Sequence, residues 1–86
     1  MSEGIQVYKS FSVGGETGYV MVHQWVNYIA KDANGPVWGY RLRPFIDLDE
    51  DDTLWFIRDV DNSDVQALTV PMLDDVPWMK SMRRLY

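Results

Sequence analysis

Ile5, Val7, Phe11 and Val13 alternate with Gln6, Tyr8, Ser10 and Ser12, the period of two that marks a half-buried strand, with Lys9 the one interruption. Gly14-Gly15-Glu16-Thr17-Gly18 follows. Three glycines in five residues supply positive φ where a reversal needs it, so a hairpin or a strand-to-helix loop is expected. Tyr19 to Asp32 fits two templates. On a helical wheel His23, Gln24, Asn27 and Lys31 fall in one arc, opposite Tyr19, Val22, Trp25, Val26 and Ile29. As a strand both faces are largely apolar, which demands burial on two sides or a partner chain. The β-branched and aromatic content tips the segment toward strand.

Asn34-Gly35 is a hairpin turn signal, closed by Pro36. Val37 to Ile46 is then extended, with Gly39 marking a bulge or close backbone contact and Pro44 a strand end. Thr53–Val60 and Val65–Val70 read as strands about an Asp61-Asn62-Ser63-Asp64 turn, making 53–70 a hairpin. Asp74 and Asp75 before Pro77, and Lys80, Arg83 and Arg84 beyond it, suit the two ends of a helix dipole. Trp78, Met82 and Leu85 recur at i, i+4 and i+7, so a short helix over about 76–84 is expected to dock on the sheet. The fold class is therefore mainly β: an antiparallel sheet of four to five strands, or a small barrel, with a short C-terminal helix. The alternative is α+β, with a helix at about 18–32.

Length and composition narrow the picture. The chain has 86 residues, enough for a single domain over 1–86, and 47% of them are hydrophobic, enough apolar surface to oppose chain entropy. With no cysteine and one histidine, disulfide frameworks and thiolate or histidine-rich metal centres are excluded. Neither a leader pattern nor a spanning apolar run is present, which predicts a cytoplasmic protein without membrane association. The net charge is −5, and Asp47, Asp49, Glu50, Asp51, Asp52, Asp59, Asp61, Asp64, Asp74 and Asp75 concentrate ten of the thirteen acids between positions 47 and 75. Direct binding of nucleic acid is not expected; a basic partner is.

The run Asp47-Leu48-Asp49-Glu50-Asp51-Asp52 places carboxylates at the first three ligand positions of a calcium loop, but Asp52 stands at the glycine position and Arg58 at the bidentate glutamate. No metal or other cofactor is assigned. The acids can instead steer the protein to a basic groove, or they form a solvated loop that blunts a strand edge. His23 lacks an accompanying Ser or Cys nucleophile motif or phosphate loop, so no catalytic residue is assigned and an enzyme is not expected. Trp25, Trp38, Tyr40, Trp55 and Trp78 are core candidates, with a stacking platform or hot-spot patch, exposed or at an oligomer seam, among the readings their number allows. Tyr40, Arg41 and Arg43 can contact an anion or ligand; ion pairs from the arginines to Asp47, Asp59 or Asp61 are the plainer alternative.

These residues describe a small acidic protein-binding module, an inhibitor being one form of it. It engages a basic protein surface through Asp47, Asp49, Glu50, Asp51, Asp52 and Trp55. Small acidic phage-encoded inhibitors are similar in size and charge alone. The alternative is a self-associating structural subunit or a small-ligand binder with its site between subunits.

Overall fold

The computed structural model describes residues 5–57 and 65–86. It is mainly β, with every strand pair antiparallel. β1 (Gln6–Val13) and β2 (Glu16–His23) form a hairpin. Gly14 and Gly15 make its two-residue turn at φ 57° and 87°, the left-handed pair that matches the twist of a tight hairpin. β3 (Tyr28–Lys31) and β4 (Val37–Tyr40) form a second hairpin, with Lys31 opposite Val37 and Gly35 at φ 109° in the connection. β5 (Phe45–Ile46) pairs with β6 (Trp55–Phe56). β7 (Val65–Leu68) and β8 (Arg83–Arg84) flank the second hairpin, giving a four-stranded sheet in the order β7-β4-β3-β8.

The first hairpin is stitched to this sheet along both edges. On one side Tyr86 N donates to Ser10 O at 2.9 Å and Arg83 Nε to Ser12 O at 2.7 Å. On the other, His23 N donates to the Gln66 side-chain oxygen at 2.9 Å. Phe11, Val20, Val22, Val26, Ile29, Val37, Val70, Leu73 and Leu85 fill the space between as one buried core.

The segment 19–32 is strand on both sides of a bend, not the helix of the alternative reading. At the bend the carbonyls of Gln24 and Val26 lie outside the strand ladders. Lys9, the interruption in the β1 pattern, supplies what they need: its ammonium donates to Gln24 O at 2.8 Å and Val26 O at 2.6 Å. Partial burial holds the Lys9 pKa below its ordinary value.

The helix expected over 76–84 does not form. Trp78–Lys80 makes one 3₁₀ turn and Arg83–Arg84 continues as β8. Two of the cations that suggested a helix terminus have other partners: Arg83 Nη1 donates to Lys80 O and Met82 O at 2.7 and 3.0 Å, and Arg84 Nη1 to the Tyr28 hydroxyl at 3.1 Å. Of the strand expected over 53–60, β6 covers Trp55–Phe56, while positions 58–64, with the expected turn, lie outside the described residues. Among those residues β6 pairs with β5 and β7 with β4, rather than with each other. No helix among them is long and apolar enough to cross a membrane.

Candidate functional site

The side-chain alternation of β4 gives the central sheet two occupied faces. Val37 and Gly39 point to the core. Trp38 and Tyr40 point the other way, and the register sets Ala30 and Ala67 beside Trp38, and Tyr28 and Val65 beside Tyr40. The chain after β5 returns over this second face as Leu54–Ile57. Between them lies an open pocket of about 350 Å³, lined by Asp32, Trp38, Tyr40, Leu54, Trp55, Phe56, Ile57 and Val65.

Its one carboxylate among the described residues belongs to Asp32, which follows β3 directly. Asp32 N donates to Pro36 O, and Gly35 N returns a bond to Asp32 O, both at 2.9 Å, so the tight connection fixes the residue in place. The residue is only 5% exposed. Oδ1 accepts the Trp55 backbone N–H at 3.1 Å, and the Trp38 side chain donates to the same carboxylate. Burial nevertheless raises the Asp32 pKa, with the nearby Asp51 charge adding to the effect and the two donors opposing it. Burial also drives the Tyr40 phenol well above its ordinary value, and the field of Asp32 contributes in the same direction.

A buried network supports the pocket wall. The Trp55 indole N–H is shared between Lys31 O at 3.0 Å and Trp78 O at 3.2 Å, and the two indoles meet edge to face at 6.4 Å. Ser81, fully buried, accepts Lys31 N–H at 2.8 Å and donates to Trp78 O at 2.7 Å. The Lys31 ammonium turns to the opposite face and donates to Leu73 O and Asp74 O at 2.7 and 3.0 Å, closing the 3₁₀ turn Pro71–Leu73.

The acidic run is a hydrogen-bonded turn that precedes the pocket wall Leu54–Ile57 in the chain. Glu50 N and Asp51 N both donate to Asp47 O, at 3.2 and 3.1 Å. The Asp47 carboxylate accepts Asp49 N at 3.2 Å. Asp51 Oδ1 accepts Thr53 N at 2.9 Å and Thr53 Oγ1 at 2.6 Å, which holds its pKa below the ordinary range. Asp47, Asp49, Glu50 and Asp52 are exposed. The turn is anchored where Ala33 N donates to Thr53 O at 2.9 Å. Four of the six acidic-site residues named from sequence are thus presented to solvent, Asp51 caps its own turn, and Trp55 is half buried as a wall of the pocket.

Tyr40, Arg41 and Arg43 are not gathered into one site. Tyr40 is buried beside Asp32, Arg41 lies over the Trp25 ring at 5.0 Å, and exposed Arg43 borders a separate groove with Phe45, Trp55 and Lys80. His23 stacks on Trp25 at 5.6 Å, and its Nδ1 is buried with no hydrogen-bond partner among the described residues. Among those residues no group of three or more His, Asp or Glu side chains is placed to hold a metal ion. Sequence reasoning passed over Asp32 and Trp38 as pocket residues. The available signal was the two-faced apolar character of 19–32: if β3 is buried on both faces, charged residues at its end are buried too.

In comparisons with protein-family models, curated proteins and solved structures, no significant match was found.

Proposed function

We propose that this chain is a small acidic module that binds a basic surface of another protein, an inhibitor being one form such a module takes. The observation that carries the reading is contiguity. The exposed carboxylates of 47–52 lead through Thr53 directly into Leu54–Ile57, which wall a pocket containing the buried Asp32 carboxylate. Exposed acids of one sign raise the encounter rate with a cationic surface, and a desolvated aromatic pocket supplies the short-range contact. The turn is pre-organised by its own hydrogen bonds, so little ordering cost attends association.

The test is stopped-flow association with a synthetic Lys/Arg-rich peptide, followed by tryptophan fluorescence. The triple variant Asp49→Asn, Glu50→Gln, Asp52→Asn removes charge and keeps Asp47 and Asp51, which hold the turn. The expected result is an association rate that falls with added salt and drops about tenfold in the variant. Equal rates in both proteins overturn the reading.

A second reading, self-association, is favoured by a different surface. The outer face of the β1–β2 hairpin exposes Tyr8 (69%), Tyr19 (71%) and Met21 (44%), with Tyr8 directly opposite Met21. Such a strip suits contact between copies, and light scattering at low and high salt separates a stable dimer from a monomer.

A further inference from the structure

The Asp32 pocket combines three properties that select among cations. Its walls are aromatic on several sides, with Trp38, Tyr40, Trp55 and Phe56 joined by Leu54, Ile57 and Val65. Among the described residues its lining holds one carboxylate and no Lys, Arg or His. That carboxylate already accepts the Trp55 backbone N–H and the Trp38 side-chain donor.

A primary ammonium entering such a pocket surrenders strong hydration and finds few acceptors, because most of the lining side chains are aromatic or aliphatic. A guanidinium wants a planar fork of acceptor oxygens, and the Asp32 oxygens are partly committed to the two donors. A quaternary ammonium has no N–H to satisfy, is weakly hydrated, and gains both from the ring quadrupoles and from a non-directional charge nearby. We propose that this pocket is a recognition site for a quaternary alkylammonium group, presented as the trimethylated side chain of a lysine on the basic partner.

The inference rests on the protein-binding reading above and names the group its pocket takes. Binding a fixed cation also stabilises the ionised carboxylate that burial disfavours, so cation binding holds Asp32 charged. Among the described residues the pocket is open on one side, as a long side chain on a polypeptide requires.

The first probe is choline against 3,3-dimethylbutan-1-ol, its neutral carbon isostere, each titrated into ¹⁵N-labelled protein with the Trp38 and Trp55 indole signals observed. The expected result is saturable shifts with choline and affinity at least about tenfold weaker for the alcohol. Asp32→Asn should reduce choline affinity by a similar factor. Phe56→Ala, which removes a half-buried wall and no hydrogen bond of the network, tests the cage where the Asp32 substitution perturbs folding.

The second probe sets a trimethyllysine peptide against the same peptide with unmodified lysine, with about tenfold preference for the former expected. Equal response to choline and its isostere, or equal affinity for the two peptides, overturns the proposal. If choline fails while the acidic-turn variant still slows basic-peptide association, the cation cage is wrong and the protein-binding reading stands. If both peptides fail to associate while choline binds, the reverse holds for the protein-binding reading, and the assignment to a lysine side chain falls with it.

Discussion

Asp32 is an ionisable side chain in a place where ionisation is costly, and the consequence is measurable without any ligand. Its pKa is raised from 3.8 chiefly by burial, then by Asp51, despite the donors from Trp55 and Trp38. The folded state therefore binds this proton more tightly than the unfolded chain does. By linkage the stabilising contribution of protonated Asp32 is fully present below the unfolded value and is lost as pH rises through the higher folded value. Asp51, held low by its bonds to Thr53, has the opposite sign: its contribution is present above the ordinary aspartate value and is lost as pH falls through the depressed one. The two effects oppose each other in the whole protein, so the difference between wild type and Asp32→Asn isolates the first. Urea midpoints measured from about pH 3 to pH 7 should show wild type losing stability relative to the variant as pH rises. A constant difference across the range would mean that the carboxylate is solvated in both states.

Among the strands, β4 carries both the core and the pocket, and Gly39 is where its core face is tightest. A Cβ built there would lie 2.8 Å from Val26 Cγ1 and 3.1 Å from Leu68 Cδ1. Val26 is fully buried at the β2–β3 bend and has little room to yield. Gly39→Ala should therefore cost about 1–3 kcal/mol, read as a lowered urea midpoint at unchanged m-value. The close approach at Gly39 was legible in the sequence as a glycine within a run of β-formers, and so were the reversals at Gly14-Gly15 and Asn34-Gly35. Those signals are local, because φ preference and strand period act over a few residues. The β8 segment was not legible for the converse reason. Trp78, Met82 and Leu85 have helical spacing, yet Leu85 N donates to Asn27 O and Tyr86 N to Ser10 O, partners more than fifty residues away in sequence. The pocket was half legible: Tyr40 and Trp55 were singled out as separate site residues, while Asp32 and Trp38 enter through a register that only tertiary pairing sets.

At the scale of the whole molecule, the β1–β2 hairpin and the four-stranded sheet share one core but no continuous ladder on the β2 side, where the Gln66 side chain makes the bond to His23. On the β1 side residues 83–86 provide the join, with β8 paired to β3 and Tyr86 bonded to β1. Leu85 stands between these bonds, 5% exposed and packed in the core. A small domain has total stability of roughly 5–15 kcal/mol, and truncating a buried leucine to alanine costs about 2–5 kcal/mol. Leu85→Ala should thus consume a large share of the total by opening a cavity at the join. Two outcomes of thermal unfolding distinguish how the units depend on each other. A single transition displaced to lower temperature, coincident by tryptophan fluorescence and far-UV circular dichroism, is expected if hairpin and sheet fold as one cooperative unit. Separate transitions by the two probes would show that the hairpin opens first, because the four tryptophans lie outside its strands. The shared core favours the first outcome: neither unit can bury Val20, Val22, Ile29 and Val37 without the other.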